Sequence, residues 1–148
     1  MKRWFLWLLL ILTLLVPNLA QAAGTVSTTK SRLGDGVTAY TMSWTADAAD
    51  GSVPATASPL FNGYVFLVTT NPGATAPTDN YDITLTDSDG VDIAGGELLN
   101  RDTANSEQAV PKVGAVYGSR YVEDGVTLNL SGNSVNSATG TVKIYVYE

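Results

Sequence analysis

Val37-Thr38-Ala39-Tyr40-Thr41-Met42-Ser43-Trp44-Thr45-Ala46 is the stretch that decides the fold. Tyr40, Met42 and Trp44 recur every second residue, with Thr41, Ser43 and Thr45 between them. Successive side chains of a strand point to opposite faces, so this alternation predicts a half-buried β-strand with three large residues on one side. Trp44 is the core anchor expected of that face.

The same period-2 signal returns on both sides of this stretch. Tyr81, Ile83 and Leu85 alternate with Asp82, Thr84 and Thr86. Val126, Leu128 and Leu130 alternate with Thr127 and Asn129, and Val142, Ile144 and Val146 alternate with Lys143, Tyr145 and Tyr147. These last two segments are expected to pair as a hairpin. Gly63–Thr70 (GYVFLVTT) is apolar on both faces and reads as a central strand covered on both sides. Val113–Val122 reads as one further strand carrying Tyr117 and Tyr121. Thr25–Arg32 is a weak first strand; the alternative is an N-terminal arm within residues 23–36, and donation of Thr25–Arg32 to a neighbouring copy would build a fibre.

Turn-forming residues punctuate the strands. Gly34-Asp35-Gly36 and Glu123-Asp124-Gly125 are turns, and Asp87-Ser88-Asp89-Gly90 is a hairpin turn returning through Val91–Ala94. Asp47–Pro59, Asn71–Asn80 and Ser131–Gly140 are breaker-rich connections. Asn100–Gln108 (NRDTANSEQ) holds no large apolar residue and reads as a loop, one turn of helix or a contact surface. Seven or eight short strands between such turns predict an all-β, antiparallel β-sandwich.

A different signal precedes this domain. Lys2 and Arg3 are followed by an apolar run from Trp4 to Val16, then by the breakers Pro17-Asn18 and by Ala20-Gln21-Ala22. This is the layout of a helical Sec-type signal peptide, residues 1–22, cleaved after Ala22. The run is short for a membrane span, which needs roughly 20 apolar residues. The alternative is an uncleaved anchor; the breaker and the Ala-x-Ala pattern favour cleavage. The expected product is one domain, residues 23–148, exported to the periplasm, cell surface or medium, with no membrane attachment once the signal is removed.

Composition narrows the function classes. The 148 residues carry 8 Lys+Arg and 14 Asp+Glu; without Lys2 and Arg3, six bases face fourteen acids, a net charge of −8. Such a chain repels phosphate backbones and shows no basic patch, so nucleic acid is not an expected partner. There is no Cys and no His. Ser-His-Asp and Cys-His arrangements are excluded, and the commonest general base near neutral pH is missing. Asp and Glu sit mostly in turns, where they are expected anyway. No catalytic residue and no cofactor is nominated, and the expectation is a protein that is not an enzyme.

Two groups of residues have binding potential. Asp87, Asp89 and Asp92 offer oxygen ligands suited to calcium, although Gly90 falls too early for an EF-hand loop and no Glu closes one. A β-turn with acidic tips explains the same residues. Tyr117, Tyr121, Tyr145 and Tyr147 are the aromatic candidates for a contact surface; ordinary cross-strand packing is the other explanation.

Thr75-Ala76-Pro77-Thr78-Asp79-Asn80-Tyr81-Asp82-Ile83-Thr84-Leu85, Asp87-Ser88-Asp89-Gly90-Val91-Asp92, Asn100-Arg101-Asp102-Thr103-Ala104-Asn105 and Gly140-Thr141-Val142-Lys143-Ile144-Tyr145-Val146 together resemble small β-sandwich proteins encoded by tailed phages and prophages. The resemblance runs from Val37 to the end. It implies a virion-associated structural role with protein partners or self-assembly, and it offers no catalytic motif. An export signal departs from that pattern, because virion proteins assemble in the cytoplasm. The sequence therefore leads to two expectations: a structural or interaction component of a surface layer, appendage or phage-like particle, or a soluble carbohydrate-binding module.

Overall fold

The computed structural model describes residues 21–148. The signal-peptide reading of the preceding segment lies almost wholly outside the described residues. Those residues form eleven strands and no helix. In chain order they are β1 (Thr25–Gly34), β2 (Val37–Thr45), β3 (Thr56–Ala57), β4 (Gly63–Pro72), β5 (Asp82–Thr86), β6 (Glu107–Ala109), β7 (Lys112–Val113), β8 (Val116–Tyr117), β9 (Arg120–Val122), β10 (Thr127–Ser131) and β11 (Thr139–Tyr147).

Every strand pairing is antiparallel. The large sheet runs β1-β2-β11-β4-β6, and β9 shares the far edge of β4 with β6. The small sheet is β3-β10-β5, and β7 and β8 form a separate hairpin. The alternating residues of each sheet supply one common core. Tyr40, Met42 and Trp44 come from β2, Val65 and Val68 from β4, and Val142, Ile144 and Val146 from β11. Opposite them stand Ile83, Leu85 and Leu128 of the small sheet. Each such side chain contributes about 1.5–3 kcal/mol by leaving water.

Trp44 is 2 % exposed and stands against Tyr81, their ring centroids 5.9 Å apart. It also explains a glycine. Trp44 pairs with Gly140 across β2 and β11, and a Cβ added at Gly140 would lie 2.5 Å from the indole ring. The indole lies over bare backbone, so only glycine fits beneath it.

The turn-rich segment after β5 completes the small layer. Ile93, Ala94 and Leu98 are buried there, and Ile83 N–H donates to Leu98 O at 3.0 Å. Asp92 organises the segment, because its carboxylate accepts from the backbone N–H groups of Leu85, Ala94 and Gly96 at 3.1, 3.2 and 2.8 Å. The Asp87–Gly90 turn forms as expected, with Gly90 at φ 78° and Asp87 N–H donating to Val91 O at 3.0 Å.

Several expectations are corrected. The strand count exceeds seven or eight because five strands have only two or three residues, too few to show a period. Val91–Ala94 is not a return strand; one bridge, Thr86 to Asp92, is all that remains of it. Val113–Val122 is not one strand, because it breaks into β7, β8 and β9, with Gly114 at φ 60°. β10 and β11 do not pair with each other. They face each other across the core from different sheets. Thr25–Arg32 is not a free arm, since β1 pairs with β2 along its length. Finally, β4 is central but its outer face is open, with Tyr64 half exposed.

Candidate interaction surface

The strands β11, β4 and β9 bring tyrosines into a row. Tyr147 pairs with Tyr64, and Tyr64 pairs with Tyr121. Because inner positions of these strands carry valines, the tyrosines project from the outer face of the large sheet. Their relative exposures are 55 %, 50 % and 51 %. The rings of Tyr64 and Tyr121 meet edge to face, with centroids 5.2 Å apart.

A bulge in β4 adds a fourth ring. Val146 pairs with Val65 and Tyr145 with Leu67, which leaves Phe66 as the extra residue. Phe66 reaches the same face as Tyr64, and its ring lies 6.2 Å from that of Tyr145. Lys143 Nζ stands 6.0 Å from the Tyr145 centroid, at the limit of cation–π range. Tyr64, Phe66, Ser119 and Tyr147 line a shallow cleft of about 390 Å³. No charged group lines it.

Of the four tyrosines named from the sequence, the structure brings Tyr121, Tyr145 and Tyr147 to this face. Tyr117 sits apart on the β7–β8 hairpin. Its hydroxyl donates to Glu97 Oε2 at 3.2 Å, and Lys112 Nζ lies 5.2 Å from its ring. Lys112 also donates to Glu97 Oε1 at 2.9 Å, and this bond holds the Glu97 carboxyl below its ordinary range. Sequence reasoning missed Tyr64, Phe66 and Ser119. The two-sided apolarity of Gly63–Thr70 was the available signal; it read as burial because the partner strands of β4 were unknown.

A second cluster surrounds Glu148. Its carboxylate accepts from Tyr40 OH at 2.5 Å, Thr38 Oγ1 at 2.8 Å and Lys30 Nζ at 3.0 Å. These donors, Tyr40 first, hold its pKa down at about 2. Burial and the neighbouring carboxylate push the Tyr40 hydroxyl up. Arg32, Asp35, Gly36 and Glu148 border a recess of about 190 Å³ beside this cluster. The carboxylate is fully engaged, and the arrangement is a clasp joining the end of β11 to β1 and β2.

The calcium candidates do not converge on a site. Asp87 Oδ1 accepts from Asp89 N–H and Val91 N–H at 3.1 and 2.8 Å, and Asp92 is occupied as described. Among the described residues no group of three or more His, Cys, Asp or Glu is placed to hold a metal ion. The sequence also contains one Ser-x-x-Lys spacing, Ser27 to Lys30. On strand β1 these two positions face opposite sides of the sheet, and Lys30 is bonded to Glu148, so they form no nucleophile–base pair.

The chain was compared with protein-family models, with curated proteins and with solved structures, and no match was found in any of the three.

Proposed function

We propose that this chain is an exported, non-enzymatic interaction protein: a β-sandwich that serves as a component of a surface layer, appendage or phage-like particle. The outer aromatic face of the large sheet is its contact surface with a protein partner in that assembly. The observation that carries the reading is the exposed row Tyr147–Tyr64–Tyr121, extended by Phe66. Tyrosine is enriched where proteins meet, because it gives large contact area with few rotatable bonds. About half of the surface of Tyr64, Tyr121 and Tyr147 stays exposed, which leaves area for a partner. The resemblance to small phage and prophage proteins supports an assembly role, and the N-terminal segment supports export. The absence of His and Cys fits a protein without catalytic machinery.

The test is recovery of the native assembly. The full chain is expressed and its extracytoplasmic fraction is analysed by intact mass, light scattering and microscopy, beside a Tyr64→Ala/Tyr121→Ala variant. The reading expects wild type to associate with a particle or surface and the variant to be released. Equal retention of a folded variant would sink it.

A second reading rests on the cleft itself. Its volume of about 390 Å³ and its aromatic walls suit a small ligand such as a carbohydrate, whose C–H faces stack on tyrosine. A glycan array answers it: a hit that Tyr64→Ala abolishes would move the protein into the class of ligand-binding modules.

A further inference from the structure

The opposite edge of the large sheet has its own partner problem. β1 pairs with β2 from Thr25↔Thr45 to Arg32↔Thr38. Two bonds at the ends of β2 fix the direction of every backbone group between them. Ala46 N–H donates to Ala138 O at 2.8 Å, and Glu148 N–H donates to Gly36 O at 2.9 Å. Even-numbered residues of β2 therefore bond to β11. Antiparallel ladders alternate, so its odd-numbered residues bond to β1 and meet Thr25, Ser27, Thr29 and Ser31. The N–H and C=O groups of Val26, Thr28, Lys30 and Arg32 point out of the sheet. Among the described residues no strand takes them, for β1 ends the sheet order.

Natural edges are blunted with charge, proline or bulges. Lys30, Arg32 and the register irregularity before Gly34 guard one half of β1. Thr25–Thr29 (TVSTT) has none of these, and its residues favour strands.

We infer that β1 is a homotypic interface: two copies join antiparallel through their β1 edges about a two-fold axis, fusing two six-stranded sheets into one. An antiparallel edge is self-complementary under such an axis, which favours a second copy over a foreign strand. The register that uses the strand from Thr25 to Leu33 puts Thr29 on the axis. Lys30 then faces Thr28 and Arg32 faces Val26, so no two cations oppose. The charge of Lys30 is already met by Glu148 at 3.0 Å. β1 contains none of the fourteen acids, so the junction brings no carboxylates together. This interface is separate from the aromatic face and stands without it.

The chain lacks cysteine, which makes cross-linking decisive. In this register the two Thr29 residues form a non-hydrogen-bonded pair with Cα atoms about 4.5 Å apart, within the roughly 4.4–6.8 Å a disulfide spans. The two Ser27 residues lie about 13 Å apart along the strands. Protein purified from cells expressing the full chain should be dimeric by light scattering. Mild oxidation should link Thr29→Cys into a covalent dimer and leave Ser27→Cys unlinked. Thr28→Pro removes an outward N–H only, and should weaken the dimer about tenfold or more while circular dichroism stays unchanged. If Thr28→Pro fails to fold, the cysteine pair decides. A monomer at every concentration, or Ser27→Cys linking as fast as Thr29→Cys, would overturn the inference. Tyr64→Ala/Tyr121→Ala should leave the dimer intact.

Discussion

The large and the small layer of this protein hold their shape by different means. In the large layer β2 and β11 pair over nine residues without a break, and side chains need only alternate. The small layer has three short strands, of which the longest have five residues. There the missing ladder is replaced by turns, and one carboxylate, Asp92, gathers three backbone N–H groups that no strand can satisfy. Long strands carry order in the backbone register, whereas short ones borrow it from a few polar side chains. Damage to single residues is therefore expected to weigh differently in the two layers.

Leu98→Ala should have the largest effect. Leu98 lies in a turn yet is fully buried, and its truncation is expected to cost roughly 2–5 kcal/mol, the range for core leucines. Chemical denaturation would check it; a loss below about 1 kcal/mol would show that the segment is not part of the core. Asp92→Ala comes next, at about 1–3 kcal/mol, because buried N–H groups lose their acceptor. The same substitution at Asp89, which accepts no such bonds, should be close to neutral.

Glu148→Gln tests the clasp of the large layer. The folded pKa of Glu148 is lowered from 4.5 to about 2, so its contribution is present above pH 4.5 and fades as pH falls through about 2. Acid unfolding of the wild type should be steeper than that of the variant across this window, and parallel curves would remove the clasp from the account. Tyr64→Ala should change stability by less than about 1 kcal/mol, since the residue is half exposed. A clearly larger loss would mean that the aromatic row is packing rather than contact surface.

The sequence was most legible where a strand was long and one-sided. Val37–Ala46, Tyr81–Asp87 and Thr141–Tyr147 alternate because each lays one face on the core; the large residues the alternation named are buried, and Thr38, Ala39 and Ala46 are buried besides them. Short strands escaped notice, since Thr56–Ala57 and Lys112–Val113 have no room for a period. The pairing of β11 with β2 and β4, rather than with β10, is a long-range choice that local pattern does not encode. The aromatic surface depended on that choice. Tyr145 and Tyr147 could be assigned to an outer face, but Tyr64 and Phe66 joined them only once β4 was known as a neighbour and its bulge at Phe66 was seen.

The middle position of β11 has a consequence for timing. This strand comes at the end of the sequence, yet it separates β2 from β4 in the sheet. Thr38 and Glu148, which hydrogen-bond to each other, are 110 positions apart along the chain. A nascent polypeptide that has not yet reached Thr139 has no strand to bridge β2 and β4, so the sheet closes only after β11 has been made. Closing such distant contacts is slow. On the export reading, that delay keeps the precursor threadable for a translocation channel until it has crossed.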